Sequence, residues 1–135
     1  MIDLDRARTF LRERHNGILA TLKRDGRPQL SNVLYLLDDD GRIKVSVTQS
    51  RAKTHNLRRD PRATLHVQGR DWYEFVVVDG LADFVEGSGV AEALRDHYRK
   101  IRGEHPNWDE YDAAMIRDRR LIVSIEIGYA YGILR

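Results

Sequence analysis

A chain of 135 residues, 41% of them hydrophobic and 33% charged, has the composition of one folded domain, which we predict over residues 1–135. Its 23 lysines and arginines are balanced by 21 aspartates and glutamates. The net charge of +2 does not give the concentrated positive surface of a nucleic-acid-binding protein. Because the chain has no cysteine, disulfides, thiolate catalysis and cysteine-based zinc sites are excluded.

The first ten residues, MIDLDRARTF, carry charges where a secretory signal would need an apolar run. No segment approaches the roughly 18 consecutive apolar residues that a membrane-spanning helix requires. We therefore expect a cytoplasmic protein that does not associate with a membrane.

The first half of the chain combines one helical pattern with three strand patterns. Apolar residues first recur at helical spacing, and the pattern then changes to a period of two. The turn pair Asp25-Gly26 and a second turn at Asp38–Gly41 separate the strand-like runs. The predicted elements are a helix over Asp3–His15 and strands over Ile18–Lys23, Gln29–Leu37 and Ile43–Val47.

The second half opens with a helix over Ser50–Arg59, which ends at Asp60-Pro61 because proline cannot continue a helix. Strands resume after it, and two helices separated by Gly103–Pro106 precede the last strand. The predicted elements are strands over Ala63–Gln68, Trp72–Glu86 and Leu121–Ile127, and helices over Val90–Arg102 and Trp108–Asp118.

Six strands in this order favour a mainly β fold with flanking helices, an α+β protein built on a closed or nearly closed antiparallel barrel. A doubly wound parallel sheet is disfavoured because strands and long helices do not alternate. The runs Val33–Leu37 and Phe75–Val78 are apolar on both faces. Such strands need cover from a helix or from a second subunit, and we therefore expect a dimer.

The segment Ser50–Pro61 carries the first candidate site. With Ser50 as the N-cap, Arg51 and Lys53 would lie in the first helical turn, where free backbone N–H groups are already positive. A phosphate or carboxylate would stabilise this arrangement by accepting from the N–H groups and both cations. The alternative is that both side chains point into water on a solvated helix.

The second candidate site is the segment Gly26–Asn32 at the start of the second strand. Pro28 cannot donate to a sheet ladder, so the strand should be irregular or at an edge here. Gln29, Ser31 and Asn32 offer amide and hydroxyl groups that could bond the polar edge of a planar heterocycle. The alternative is the ordinary beginning of a strand.

Familiar catalytic and metal-binding motifs are absent from the sequence. The five histidines lack metal-ligand spacing, so we expect no metal site. No nucleophile elbow, phosphate-binding P-loop or GxGxxG motif occurs, and no side chain stands out as a catalytic acid or base. If the protein is an enzyme, a cofactor must supply its reactivity.

Three runs of the sequence resemble the pyridoxamine 5′-phosphate oxidase-like superfamily of flavin and deazaflavin oxidoreductases. They are LATLKRDGRPQLSNV (Leu19–Val33), RAKTHNLRRDPRA (Arg51–Ala63) and WDEYDAAMIRDRR (Trp108–Arg120). Within this superfamily, the three runs are similar to the reductases that depend on coenzyme F420. The resemblance implies a six-stranded, FMN-binding-like split β-barrel that works as a homodimer with two cofactor sites at the interface.

The resemblance also implies a set of cofactor-binding residues. Those expected at the phosphate are Arg51, Lys53 and Asn56, with Ser46 and Ala52 beside them. Those expected at the deazaflavin ring are Lys23, Pro28, Gln29 and Ser31, while Trp72, Tyr129, Tyr131 and Gly132 would approach from the partner subunit. Arg24, Arg58 and Arg59 would meet the acidic polyglutamyl tail of F420.

The implied activity is hydride transfer from reduced F420 to an unsaturated small molecule such as a quinone, an enone or lactone, or a tetrapyrrole. Vitamin B6 oxidation is not expected, because the chain ends at Arg135 without the carboxy-terminal segment that grips pyridoxal phosphate in the FMN-using oxidases. Two alternatives stay open. One is an FMN-binding flavin reductase or oxidase of the same fold, and the other is a non-enzymatic F420 carrier or sensor.

Overall fold

Six antiparallel strands close into a barrel in the order β1-β2-β3-β6-β5-β4 in the computed structural model, which describes residues 1–135. The strands are β1 (Asn16–Leu22), β2 (Pro28–Leu37), β3 (Ile43–Thr48), β4 (Arg62–Gln68), β5 (Phe75–Val85) and β6 (Arg120–Ile133). The helices are α1 (Leu4–Arg12), α2 (Ala52–Arg59), α3 (Val90–Arg102) and α4 (Trp108–Arg117), with a 3₁₀ turn at Gly87–Gly89. The predicted fold class and all ten elements are confirmed.

Several boundaries differ from the sequence prediction, and the largest difference is that β6 continues to Ile133 instead of ending at Ile127. Two of the differences have local reasons. Ser50 does not cap α2. It lies in a turn closed by the Arg51 N–H donating to the Thr48 carbonyl, and Arg51 itself occupies the N-cap without a side-chain hydrogen bond. The strand predicted from Trp72 begins only at Phe75, because the Asp71 carboxylate holds residues 71–74 in a turn by accepting from the backbone N–H of Tyr73.

The barrel interior is filled by one apolar cluster to which all six strands contribute. α1 adds Phe10 and Leu11, and the Tyr35 hydroxyl on β2 donates to the Leu11 carbonyl at 2.8 Å, tying this helix to the sheet. α2 adds Leu57. None of the four helices combines the length and apolar character needed to cross a membrane.

A hairpin of α3 and α4 covers the outside of β6 near its start. Leu94 of α3 and Tyr111 of α4 form a second apolar cluster with Ile122, and the Tyr111 hydroxyl donates to the Leu94 carbonyl at 2.8 Å. Lys100 of α3 bonds Asp38, beyond the end of β2, at 2.7 Å. These contacts fix α3 against the barrel and leave a cavity beneath it.

A β-bulge in β6 reverses which of its residues point outward. Ile127 pairs with Gly80 and Tyr129 pairs with Asp79, so Gly128 is an extra residue in the ladder. Before it, Ile125 and Ile127 lie in the interior cluster, whereas after it Ala130 lies there. Gly80 permits the close approach, since a Cβ at this position would lie 2.3 Å from the Glu126 carbonyl oxygen.

We predict that Gly80→Ala destabilises the protein by about 1–3 kcal/mol, because the added methyl group overlaps backbone that cannot move without disturbing the bulge. Gly89→Ala is the matched control. Its Cβ would meet no atom within 4 Å, so its stability should stay near wild type. Urea unfolding measures both, and equal stability of the two variants would contradict the prediction.

Candidate functional site

A cavity of about 710 Å³ lies between the barrel and the α3–α4 hairpin. β2 and β3 line one side, the start of α2 and the start of β6 line a second, and α3 and α4 line a third. Its lining residues are Ser31, Asn32, Val33, Leu34, Ser46, Thr48, Arg51, Lys53, His97, Tyr98, Ile101, Arg102, Tyr111, Met115 and Arg120. The mixture of aromatic, hydroxyl and cationic groups suits a planar ligand that carries an anion.

The charges that line this cavity are all positive. Arg51, Lys53, Arg102 and Arg120 contribute to its wall, and no carboxylate does. Burial of the Lys53 ammonium group, together with the positive charges of Arg51 and Arg120, lowers the pKa of Lys53 below its usual value. The cavity therefore has a cationic end at the start of α2 and β6 that lacks a counter-charge from the protein.

The start of α2 adds to this positive potential. The helix has no acidic residue in its first turn and no side-chain cap on its N-terminal N–H groups. Thr54 uses its hydroxyl elsewhere, donating to the Thr48 carbonyl at 2.7 Å, which anchors the helix to the end of β3. The free helix terminus and the cations of Arg51 and Lys53 thus lie in the same part of the cavity wall.

The residues predicted to bind the cofactor are divided among three places. Ser31, Ser46, Arg51 and Lys53 line the cavity. Lys23, Ala52 and Asn56 line a separate groove at the start of α2, together with Arg24, Asp25, His55 and Arg59. Gln29 lies between these two places, and Pro28, Trp72 and Tyr131 lie elsewhere on the barrel.

A chain of buried hydrogen bonds joins the groove to the cavity. Asn56 donates to the Thr21 hydroxyl at 3.1 Å, Thr21 donates to the Gln29 carbonyl oxygen at 3.2 Å, and Gln29 donates to Ser31 Oγ at 2.9 Å. Arg59 donates to the Asn56 side-chain oxygen at 3.1 Å. Both ends of the Asn56 amide are therefore bonded within the protein, and its contact with a phosphate stays a prediction.

A further set of predicted residues lies on the outer face of the barrel, defined here as the outward side of β2, β1, β4, β5 and β6. Asn32, Ile18, His66, Val77 and Tyr131 are register neighbours in one row across these strands. Pro28 and Tyr129 line a shallow groove on the same face. Trp72 is 76% exposed in the β4–β5 turn, so neither Trp72 nor Tyr131 reaches the cavity within one chain.

Sequence reasoning missed the cavity residues that come from the second half of the chain. Arg120 lies at the first position of β6, and His97, Tyr98, Tyr111 and Met115 lie on the inner faces of α3 and α4. Their spacing in the sequence is that of ordinary amphipathic helices, and a single arginine at the start of a strand carries no signal. Only the docking of the hairpin on the barrel brings them to the site.

Comparison with known proteins identifies the family to which the sequence is similar. Residues 4–131 match the sequence family described as pyridoxamine 5′-phosphate oxidase. The solved structure of the conserved hypothetical protein Rv2991 from Mycobacterium tuberculosis has a TM-score of 0.75 at 25% identity, covering 96% of this chain and 83% of that one.

Two further structures share the fold. One described as an F420 reductase has a TM-score of 0.71 at 23% identity and covers 91% of this chain and 94% of its own. A heme binding protein from Mycobacterium smegmatis has a TM-score of 0.70 at 22% identity, covering 98% of this chain and 55% of that one. Because one of these neighbours is described as an F420 reductase and the other as a heme binding protein, the fold by itself does not identify the ligand.

His97 is a buried polar group in the cavity wall. Its Nδ1 has no hydrogen-bond partner. Burial lowers the pKa of His97 to about 4, although the charges of Asp38 and Asp96 act to raise it. The folded protein therefore keeps this imidazole neutral down to about pH 4.

We predict that stability falls as the pH decreases from about 6.5 to about 4, because the unfolded chain takes up a proton on His97 that the folded chain excludes. The contribution of this residue is about 3 kcal/mol over that interval. His97→Gln should lose this part of the pH dependence, and His55→Gln, at an exposed histidine, should keep it. Urea unfolding at fixed protein concentration tests this, and identical pH profiles for both variants would contradict it.

Proposed function

This chain belongs to the pyridoxamine 5′-phosphate oxidase family, and we propose that it is an oxidoreductase whose cofactor is coenzyme F420. The observation that carries the proposal is the cationic end of the cavity, where Arg51 and Lys53 line the wall without any carboxylate. The sequence motifs described above and the shared fold with a protein described as an F420 reductase support the choice of cofactor.

The donor set of the cavity fits the phosphate of a flavin or deazaflavin. An anion at the start of α2 would accept from backbone N–H groups, from Arg51 and from Lys53. It would also offset the burial and the neighbouring positive charges that together lower the pKa of Lys53. Ser46 lines the same wall and offers a hydroxyl donor. These groups bind a phosphate but do not distinguish FMN from F420.

The groove beside the cavity favours F420 over FMN. Lys23, Arg24, His55 and Arg59 line it, with Asp25 as its acidic member, and a polyglutamyl tail is the complementary anion. Arg58 does not line the groove, and its guanidinium bonds both carboxylate oxygens of Glu86 at 2.7 and 3.0 Å, so its contact with the tail stays a prediction. Lys23 thus joins the tail-binding residues in this proposal, in addition to its predicted place near the ring.

The chemistry supplied by the reduced cofactor is hydride donation to an electron-poor unsaturated acceptor such as a quinone, an enone or lactone, or a tetrapyrrole. The chain contributes binding and orientation. Ser31 is held by Gln29 at the cavity wall, so the bonded chain from Asn56 fixes one polar edge of the site. Because the cavity holds no carboxylate and His97 is neutral, we assign proton delivery to solvent.

We propose that two copies associate through the outer face. Leu30, Leu81 and Tyr129 are large apolar side chains exposed on this face by 63%, 58% and 45%. Several large apolar side chains exposed on one face typically mark an interface, and a two-fold dimer would bury the same face on both subunits. In such a dimer Trp72 and Tyr131 of one subunit would approach the cavity of the other, the role that the family resemblance gives them.

We predict that the purified apo-protein binds F420 more tightly than FMN. Lys53→Ala and Arg51→Ala should each weaken cofactor binding by about 1.5–3 kcal/mol, the range for hydrogen bonds to charged groups. Arg12→Ala removes an equal charge from an exposed position of α1 and should bind as wild type does. Equilibrium titration by fluorescence or calorimetry measures all four proteins.

Each outcome of this titration separates the candidates. If the protein binds FMN and does not bind F420, the FMN-binding alternative replaces the F420 proposal. Unchanged binding in both alanine variants would refute the phosphate site. If F420 binds and its reduced form is not oxidised in steady state by any member of a panel of quinones, enones, lactones and tetrapyrroles, the protein is a carrier and the proposed enzymatic activity is wrong.

The dimer gives a separate prediction. Ile18→Glu, in the middle of the outer face, should yield a folded monomer because it buries an unpaired charge in the interface. Ile116→Glu makes the same change at a 77% exposed position of α4 and should leave the dimer intact. Light scattering after size exclusion measures the mass, circular dichroism checks the fold, and a monomeric wild-type protein would refute the interface.

A further inference from the structure

We propose that Arg120 is a third cation of the phosphate site and that it makes binding depend on the phosphate group of the cofactor. This inference rests on the proposed function and names a residue to which neither the residue pattern nor the family resemblance gave a role, although Arg120 ends the third of the runs that carry the resemblance. Arg120 lies at the start of β6, 67 positions after Lys53 in the sequence, and both line the same cavity.

Arg120 is unusual among the basic residues because it is half-buried without an acidic partner. The half-buried lysines and arginines are Arg8, Arg14, Arg42, Lys44, Lys53, Arg95, Arg99 and Arg120. Six of them lie within 4.0 Å of a carboxylate oxygen. The two that do not are Lys53 and Arg120. Both line the same cavity, and they lie close enough for the charge of Arg120 to contribute to the lowered pKa of Lys53.

The guanidinium group of Arg120 is only partly bonded within the protein. Its Nη1 donates to the Ser46 carbonyl at 3.4 Å, a long contact, and its buried Nε has no partner. A buried donor without an acceptor is destabilising, and a buried charge without a counter-ion is more so. An anion in the cavity would provide both the missing acceptor and the missing charge.

The backbone holds Arg120 firmly in this place. Arg119 adopts a left-handed conformation with φ of 51°, the only residue other than glycine with a positive φ, and it turns the chain from α4 into β6. Arg120 then pairs with Thr48 in the β3–β6 ladder, while Ser46 pairs with Ile122. The side chain therefore projects from a paired strand position, which gives it a defined direction beside the start of α2.

Arginine suits this position better than lysine would. Its planar fork can donate two parallel hydrogen bonds to one phosphate, whereas an ammonium group acts as a point charge. Three cations converging on one group provide strong discrimination between a phosphorylated chromophore and the same chromophore without phosphate. They give no such preference for the ring itself.

The test compares each cofactor with its phosphate-free chromophore. Riboflavin differs from FMN only in the phosphate, whereas the ribityl deazaflavin chromophore also lacks the polyglutamyl tail of F420. Arg120→Gln should weaken binding of F420 about 10- to 100-fold, and that of FMN likewise if FMN binds. Binding of the phosphate-free partners, the ribityl deazaflavin chromophore and riboflavin, should change by less than about 3-fold. Arg120→Lys should recover part of the loss. Arg119→Gln removes the adjacent exposed charge as the control and should match wild type.

Thermal unfolding of the apo-protein separates a binding role from a structural one. Removing an unpaired charge near Lys53 and Arg51 should leave the Tm of Arg120→Gln unchanged or raise it. A lowered Tm with equal weakening of phosphorylated and phosphate-free ligands would overturn the inference and leave the proposed function standing. If the wild-type protein binds neither F420 nor FMN, both the proposed function and the inference are refuted.

Discussion

The pairing of β6 with both β3 and β5 is the constraint on which the rest of the structure depends. Residues 120–125 of this 14-residue strand pair with β3, and nearly its whole length pairs with β5, so a single strand closes the barrel. The same register fixes Arg120 beside the start of α2. At its other end the bulge at Gly128 turns Tyr129 and Tyr131 outward. Barrel closure, the cationic end of the cavity and the outer face are therefore set by one strand.

The cavity illustrates how a protein retains charges that do not favour its own stability. Most half-buried cations here have a carboxylate partner, for example Lys44 with Asp38 and Arg95 with Asp112. Lys53 and Arg120 have none, and burial together with the charges of Arg51 and Arg120 lowers the pKa of Lys53. An unpaired cationic cluster beside a free helix terminus is typical of an anion site, because the ligand supplies the missing charge.

Hydrogen bonding explains why some predicted contacts lie outside the cavity. The family resemblance predicts that Asn56 and Gln29 bind the cofactor. In the structure both side chains belong to a chain of hydrogen bonds that joins α2, β1 and β2. This chain ends on Ser31, which does line the cavity. Asn56 thus acts on the site through the orientation of its neighbours, whatever further contact a bound cofactor makes with it.

The sequence by itself determined the elements and the local chemistry. Alternation in runs such as Ile43–Val47 identified strands, Pro61 ended α2, and the spacing of Arg51 and Lys53 suggested the proposed anion site, because each signal depends only on residues close in the chain. Tertiary structure alone decided which distant residues meet. No local pattern could place Arg120 and His97 in the same cavity as Lys53, since barrel closure and helix docking bring them there. The outward direction of Tyr131 likewise depends on a one-residue bulge between β5 and β6, which local alternation does not reveal.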